Sequence, residues 1–296
     1  MVFENEILKV KNVVETGLSK IVPNFHKKIK GVSTVSGLNY YGTKDNSSAV
    51  EVYHPSGEGS GYGTIVYFHG GGWTTLDKSM YQTLGRKLAK LGFVVFNCNY
   101  ELAPKASIEK IIADAEQAVV FALNKTEKFG GNPTRLYLGG DSAGAHIAAM
   151  IGTRATAEPA HNDFADKIKG LLLFYGIYNF DTLRATKFPS INLFMDALFG
   201  KREIENKELM HEYSPVYFLN KNFPRSFLTS GGIDKLHQTQ SVMFKQKLDE
   251  LRIPNMSVFF DKKEQLGRHG FMSVDGIKTS DIAFAILEKF LKEEGK

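Results

Sequence analysis

The sequence predicts an α/β protein whose mostly parallel sheet is covered by helices on both faces. Short apolar runs alternate with longer helical stretches from residue 64 to residue 175, and the alternation resumes after residue 226. Strands that alternate with helices are typical of βαβ units, in which each strand is buried on both sides. The composition, with 43% hydrophobic and 23% charged residues among 296, fits one large domain.

Eight strands are predicted from the apolar runs. β-Branched residues between Gly31 and Pro55 predict two antiparallel strands. The other strands are predicted at 64–68, 93–100, 136–138, 171–175, 226–230 and 256–260. Helices are predicted near 78–91, 107–128, 142–154, 238–251 and 279–293. We therefore expect a single domain over residues 1–296.

Two segments depart from this alternation. Residues 181–225 carry apolar residues at helical spacing without a strand pattern, and we interpret them as an insertion. Residues 5–30 carry apolar residues at steps of three and four, which predicts an amphipathic helix interrupted near Pro23. This helix is expected to pack on the protein. The alternative is a basic amphipathic helix that lies on a membrane surface.

The charge pattern and the cysteine content exclude several classes of function. The net charge of +5 comes from 37 basic and 32 acidic residues that are spread along the chain, whereas a nucleic-acid surface needs clustered cations. Cys98 is the single cysteine, which excludes an internal disulfide, and its apolar neighbours predict a buried thiol. No segment reaches the roughly 18 uncharged apolar residues of a membrane span, and no signal-peptide pattern is present. We expect a cytoplasmic protein without a nucleic-acid partner or stable membrane association, and a homodimer is compatible with the sequence.

Motifs for cofactors and metals are missing from the sequence. The glycines at 57, 59, 61 and 63 lack G-x-G-x-x-G spacing and precede a strand. No P-loop, H-E-x-x-H or C-x-x-C motif occurs. We therefore expect neither a cofactor nor a metal site.

The segment 140–144 has the pattern G-x-S-x-G where a predicted strand meets a predicted helix. A serine on such a tight turn is held in strained geometry with its hydroxyl at the top of the sheet, and only glycine leaves room on either side. The helix would aim its positive end at Ser142 and place the Ala143 N–H beside it, and both favour an oxyanion. Taken alone, the motif also fits a glycine-rich turn with a solvated serine.

The loop 69–73, His-Gly-Gly-Gly-Trp, ends the third predicted strand. Its N–H groups lie at the carboxyl edge of the sheet, where open α/β sheets bind ligands. A triple glycine arises easily by chance. When it follows a strand about 70 residues before a G-x-S-x-G motif, however, it matches the loop that supplies the second half of an oxyanion hole. The two motifs together predict an acyl-transfer site.

A serine nucleophile requires a base and an acid that orients the base. Asp234 follows the strand 226–230, and His269 lies between glycines after the last strand. The order Ser142, Asp234, His269 is the order found in the α/β-hydrolase fold.

Other titratable residues remain alternatives at this point. His237 is a rival base and Asp261 a rival acid. His146 in the helix after the serine is expected in the core or the pocket wall, and His69 is expected to brace the glycine loop. Asp141 is expected to face away from the site.

Five segments carry a family pattern: 69–73, Tyr-Glu-Leu-Ala-Pro at 100–104, 140–144, Asp-Lys-Leu at 234–236, and His-Gly-Phe at 269–271. On these segments, residues from about 60 to 290 resemble the hormone-sensitive lipase family of α/β-hydrolases, a group of serine carboxylesterases and lipases. The resemblance implies an eight-stranded α/β-hydrolase sheet with a small helical cap, built from about 1–30 and 181–225.

The resemblance also implies roles for individual residues. Ser142 would be the nucleophile, Asp234 the acid and His269 the base. The oxyanion N–H groups would come from Gly71, Gly72 and Ala143. The substrate is expected to contact Trp73, Phe194, Leu198 and Phe271.

The chain departs from the family pattern at four positions. Glu101 and Lys105 flank the Leu-Ala-Pro core where the family usually has arginine and glutamate, so an ion-pair network is rewired. Ala145 replaces a glycine, and His237 stands where an acidic residue is expected. The three proposed catalytic positions are unaffected, and the substrate preference stays open.

We expect a serine carboxylesterase that acts on a small-molecule ester. The bulky side chains of the insertion predict a closed pocket and short acyl chains. Two alternatives remain. An amidase, aryl formamidase or peptidase would use the same triad, whereas a ligand-binding protein on a hydrolase scaffold would require a lost triad residue.

Overall fold

The computed structural model describes residues 26–157, 163–200, 206–264 and 267–293. Within these residues, eight strands form one sheet. They are β1 (Val32–Asn39), β2 (Ala49–Pro55), β3 (Tyr62–Phe68), β4 (Phe93–Cys98), β5 (Gly131–Asp141), β6 (Ile168–Phe174), β7 (Ser226–Gly231) and β8 (Asn255–Phe260). Their spatial order is β1-β2-β4-β3-β5-β6-β7-β8. β2 is antiparallel to both β1 and β4, and all other neighbours are parallel, so the predicted mostly parallel eight-stranded sheet is confirmed.

Seven α-helices are found in the described part of the chain. They are α1 (Gln82–Lys90), α2 (Ile108–Lys125), α3 (Ala143–Ala155), α4 (Ile191–Phe199), α5 (Lys207–Glu212), α6 (Met243–Glu250) and α7 (Lys278–Lys292). None of the helices in these residues is long and apolar enough to cross a membrane.

Helices cover the sheet on both faces because alternate strand residues point to opposite sides. In β3, Val66 and Phe68 join a core that includes residues of α2, α3 and α6. Ile65 and Tyr67 join the other core, with residues of α1 and α7. The central strands are therefore buried on both faces, whereas β1 and β8 at the two sides of the sheet are partly exposed.

Strand β5 is longer than the predicted 136–138. It continues through Gly139 and Gly140 to Asp141 because these residues pair with β3 and β6. A Cβ at Gly139 would lie 3.2 Å from both Tyr67 and Leu172. The extension brings Ser142 to the carboxyl edge of the sheet.

The insertion 181–225 contains α4 and α5 and, in its described residues, no strand. Residues 201–205 within it lie outside the described residues. The helix predicted at 5–30 falls almost wholly on 1–25, which also lie outside them. The single-domain arrangement with a cap from 1–30 and 181–225 therefore stays a prediction.

Candidate active site

Ser142 occupies the turn between β5 and α3 with φ 52° and ψ −118°. A positive φ costs a non-glycine residue about 1–3 kcal/mol, so the surrounding structure must hold it. The Ser142 N–H donates to the Phe174 carbonyl at 2.9 Å, and the His146 N–H donates to the Ser142 carbonyl at 3.1 Å. These bonds fix the serine between the end of β6 and the first turn of α3.

The glycines that flank Ser142 are required by close backbone contacts. A Cβ at Gly140 would lie 2.3 Å from the carbonyl carbon of Gly144. A Cβ at Gly144 would lie 2.0 Å from the carbonyl oxygen of Phe68. Any larger residue would push the serine turn away from the end of β3.

A chain of two hydrogen bonds connects Ser142, His269 and Asp234. His269 Nε2 lies 2.9 Å from Ser142 Oγ, and His269 Nδ1 lies 2.7 Å from Asp234 Oδ2. A carboxylate only accepts hydrogen bonds, so Nδ1 carries a proton and Nε2 of the neutral ring is free to accept one from the hydroxyl. The structure thus brings together the three residues that the sequence singled out.

Asp234 is held rigidly at the carboxyl end of β7. Its N–H donates to the Gly231 carbonyl at 2.8 Å, and its Oδ1 accepts from the Leu236 N–H at 3.0 Å. Gly267, with φ 74°, lets the histidine loop approach this strand, because a Cβ there would lie 2.6 Å from Gly231 Cα.

Asp234 makes the imidazole of His269 a stronger base than a free histidine side chain. Burial opposes the charged ring, but the charge and hydrogen bond of Asp234 outweigh burial and raise the pKa of His269 above its ordinary value. Two aromatic rings hold the imidazole in place, with centroids 4.9 Å away for Tyr175 and 4.6 Å for Phe188.

The glycine loop presents unpaired N–H groups beside the serine turn. Gly71 and Gly72 have φ of 112° and 59°. Within the described residues, no hydrogen bond is made by the N–H groups of Gly71, Gly72 and Ala143. The loop packs closely on the end of β5. At Gly70 there is no room for a side chain, since a Cβ would lie 2.7 Å from Asp141 Oδ2. Three donors are thus available next to Ser142.

His69 and Tyr100 brace this loop. His69 Nδ1 donates to the Gly70 carbonyl at 2.7 Å, and the Tyr100 hydroxyl donates to the His69 carbonyl at 2.8 Å. The two rings stack with centroids 4.4 Å apart. Burial lowers the pKa of His69 to about 4, so the ring is neutral and acts as a support, as the sequence predicted.

The contact predicted between Trp73 and the substrate stays a prediction, and the structure shows Trp73 in a bracing position. Its side chain is fully buried in the core, and its Nε1 donates to His146 Nδ1 at 3.2 Å. His146 Nε2 in turn donates to the Tyr213 carbonyl at 2.8 Å. One ring nitrogen of His146 therefore accepts a hydrogen bond and the other donates one, so the imidazole is neutral. Trp73 therefore connects the glycine loop to α3 and to the insertion.

Phe271 is also buried, at 2% exposure, and its predicted contact with the substrate stays a prediction. It packs against Tyr175 and Phe260, with centroids 5.3 and 5.5 Å apart, and so supports the ring that touches His269. Phe194 and Leu198 do lie on the insertion helix α4. The Phe194 ring covers Gly72, since a Cβ there would lie 2.6 Å from it.

The buried carboxyl of Asp141 takes part in a hydrogen-bond network that the sequence did not predict. Asp141 Oδ2 accepts from the Tyr81 hydroxyl at 3.0 Å, and the same hydroxyl accepts from the Gly70 N–H at 3.1 Å. Burial raises the pKa of Asp141 to about 7, although the Tyr81 hydrogen bond opposes this shift. The side chain faces away from the reacting groups, as expected, and anchors the glycine loop.

The rival residues have other partners. His237 Nδ1 lies 2.6 Å from the Ser230 hydroxyl, and Asp261 Oδ1 accepts from the Lys263 N–H at 2.8 Å. Among the described residues, neither is hydrogen bonded to Ser142 or His269.

The charges around the Leu-Ala-Pro core are rewired, as the sequence indicated. Glu101 pairs with Lys105 at 3.6 Å and with Lys110 at 3.8 Å. Lys110 also pairs with Asp114.

The sheet, the serine turn and the hydrogen-bonded chain at its carboxyl edge together define an α/β-hydrolase. The family model described as BD-FAE matches residues 50–248, and the chain belongs to this family. The resemblance to hormone-sensitive-lipase-type hydrolases is confirmed.

Individual relatives agree with this assignment. Kynurenine formamidase of Danio rerio is 34% identical over 137 residues, covering 46% of this chain and 44% of that protein. The probable carboxylic ester hydrolase LipM of Mycobacterium tuberculosis is 25% identical over 229 residues, covering 76% of this chain and 52% of that protein. The chain thus spans about half the length of these curated relatives.

Among solved structures, esterase B of Lactobacillus rhamnosis has the same fold. Its TM-score is 0.84 at 18% identity, over 99% of this chain and 96% of that one.

Proposed function

We propose that this protein is a carboxylesterase that cleaves esters through an acyl-enzyme on Ser142. The observation that carries the proposal is the chain of hydrogen bonds from Asp234 through His269 to the Ser142 hydroxyl, at 2.7 and 2.9 Å. A serine hydroxyl is a weak nucleophile near neutral pH and needs an oriented base of this kind.

In the first half-reaction, His269 Nε2 takes the proton from Ser142 Oγ while the oxygen attacks the ester carbonyl carbon. The carbonyl oxygen becomes an oxyanion, and Asp234 stabilises the imidazolium that forms. When the tetrahedral intermediate collapses, the bond to the alcohol oxygen breaks and His269 returns the proton to that oxygen. The alcohol leaves, and the acyl group stays on Ser142.

In the second half-reaction, water replaces the alcohol. His269 takes a proton from water, the resulting hydroxide attacks the acyl carbon, and the acid leaves as the proton returns to Ser142 Oγ. The proposed reaction uses only groups of this chain and water.

The oxyanion would be held by the N–H groups of Gly71, Gly72 and Ala143. Their lack of partners within the described residues supports this role, because Gly72 and Ala143 are buried and buried N–H groups are normally paired. Removing one such donor in other enzymes costs about 10²–10³ in kcat.

We further propose a preference for short acyl chains. The insertion helix α4 brings Phe194 against Gly72, and Leu198 is also buried, at 6% exposure. A chain gains burial energy, about 0.8 kcal/mol per methylene, only while the pocket has room for it.

The names of the relatives support ester cleavage, with one alternative. LipM carries the name of a carboxylic ester hydrolase and esterase B that of an esterase, whereas the Danio rerio relative is a kynurenine formamidase. An amidase or formamidase would use the same three residues. Turnover of matched ester and anilide substrates separates the two activities.

A cytoplasmic location and a single domain with a cap from 1–30 and 181–225 are part of the proposal.

The direct test is hydrolysis of p-nitrophenyl butyrate with and without a serine-directed organophosphate. We expect turnover that is lost when one organophosphate is incorporated per chain, on the peptide that contains Ser142. Turnover that survives full modification would refute the proposal.

A further inference from the structure

A cleft of about 590 Å³ opens beside His269 and carries an excess of positive charge. Lys235 lines it from the loop after β7, and Lys262 and Arg268 line it from the loop after β8, which also bears His269. All three side chains are exposed to solvent. Cations that converge from separate segments on one cleft favour an anionic ligand.

Cations outnumber carboxylates among the residues that line the cleft. Asp234 is the carboxylate that lines the cleft in the described residues, and it is 1% exposed and bonded to His269. Asp261 lines an adjoining cavity that shares Asp234, Lys235 and Lys262 with the cleft. Its Oδ1 accepts from the Lys263 N–H.

Lys262 and Arg268 are available to bind a ligand. Within the residues that the structure describes, neither forms an ion pair or a side-chain hydrogen bond. Lys235 Nζ donates to the Lys187 carbonyl at 3.1 Å. This contact holds the ammonium group in place but does not neutralise its positive charge. A guanidinium also binds a carboxylate with two parallel hydrogen bonds, so Arg268 is the stronger candidate.

The position of the cleft indicates which half of an ester it would hold. In the proposed mechanism His269 returns its proton to the alcohol oxygen, so the alcohol portion must lie beside the imidazole. The cleft is lined by His269 itself and by the apolar side chains of Phe188 and Ile233. These features fit an alcohol with an apolar body and a charged end.

We propose that the preferred substrates are esters whose alcohol portion carries an anionic group, such as a carboxylate, which binds to Arg268 and Lys262. This inference rests on the proposed esterase activity, and it adds the class of alcohol that the site selects.

The test compares para-acetoxybenzoate with para-acetoxybenzamide, which share the acetyl group and differ in the charge of the alcohol portion. The readout is the ratio of kcat/KM for the anionic ester to that for the neutral one. We expect this ratio to fall about threefold in Arg268→Gln and in Lys262→Gln, as for partly exposed ion pairs, and the fall to come from KM. The ratio of the wild-type protein should also decrease at high salt.

Lys128→Gln is the matched control. Lys128 is an exposed cation three residues before β5, at the sheet edge opposite Ser142, and its removal should leave the ratio unchanged. An equal ratio in the wild type, Arg268→Gln and Lys262→Gln would overturn the inference. If p-nitrophenyl butyrate is still cleaved in that case, the proposed function stands, whereas no cleavage of any ester would overturn both.

Discussion

Asp234 accepts a hydrogen bond from His269 Nδ1 at 2.7 Å, and its carboxylate is almost completely buried. This contact raises the pKa of His269 above 6.5, its ordinary value, despite the burial of the ring. The base must be neutral to accept the Ser142 proton, so kcat/KM should rise with pH. We expect the midpoint to lie above about 6.5 in the free enzyme.

The pH profile from about pH 5 to about pH 9 measures this midpoint. Asp234→Asn should lower the midpoint, because the charge that raises it is removed, and should reduce kcat by about 10⁴. A wild-type midpoint clearly below 6.5 would contradict the contribution that we assign to Asp234.

The two histidines near Asp234 should differ in their effects on activity. His269→Ala should lose about 10⁴-fold or more in kcat, because it removes the base. His237→Ala should keep most of the activity, since its ring is bonded to Ser230 at 2.6 Å. It should instead lower stability by about 1–3 kcal/mol, because the buried Ser230 hydroxyl loses its partner. The opposite ranking of kcat values would make His237 the base.

Asp141 should make stability depend on pH. Its pKa is raised from 3.8 to about 7 in the folded protein, so the folded state binds more protons than the unfolded state between these values. Stability should therefore decrease as the pH rises through this window. Asp141→Asn cannot ionise, so above about pH 7 it should melt at least about 2 °C higher than the wild type, and this difference should shrink toward about pH 4.

Asp166→Asn is the control for that measurement, because Asp166 is an exposed surface acid. It should change the melting temperature by less than about 1 °C. A gain for Asp141→Asn that does not vary with pH would exclude the titration of this carboxyl as the cause.

Phe194 should limit the length of the acyl chain. Its ring covers Gly72, so Phe194→Ala should open space beside the proposed oxyanion site and move the optimum to chains longer by about two carbons or more. The measurement is kcat/KM over p-nitrophenyl esters from acetate to palmitate. Phe218→Ala, at a 42% exposed position in the insertion, should leave the optimum unchanged. A wild-type optimum at about eight carbons or longer would identify a lipase-like pocket instead.

The sequence predicts the sheet well because strand burial leaves a local pattern. The runs in β3, β4 and β6 are mostly apolar and are buried on both faces, and the helices between the strands are long enough to be recognised. The prediction of β5 stops short of its last residues, because these include two glycines, of which Gly139 packs against Tyr67 and Leu172 and Gly140 against the backbone of Gly144. The predicted helix near 238–251 also begins with a π-helical turn, His237–Val242, that no periodicity reveals.

The candidate site could be predicted only where a short motif carries it. Ser142, Asp234 and His269 each follow a strand, so the fold brings them to one edge. The roles of Trp73 and Asp141 depend on partners far along the chain, His146 for the indole and Tyr81 for the carboxyl. The cationic cleft likewise combines the loops after β7 and β8, and no local pattern links Lys235 to Lys262 and Arg268.

The central claim is that Ser142 is the nucleophile, and kcat of Ser142→Ala on p-nitrophenyl butyrate tests it most directly. The variant should melt within about 2 °C of the wild type, because the change removes only a hydroxyl and no core packing. Removal of a triad nucleophile typically reduces kcat by about 10⁶, and we predict a loss of that order. A folded variant that loses less than about tenfold would show that another group attacks the ester.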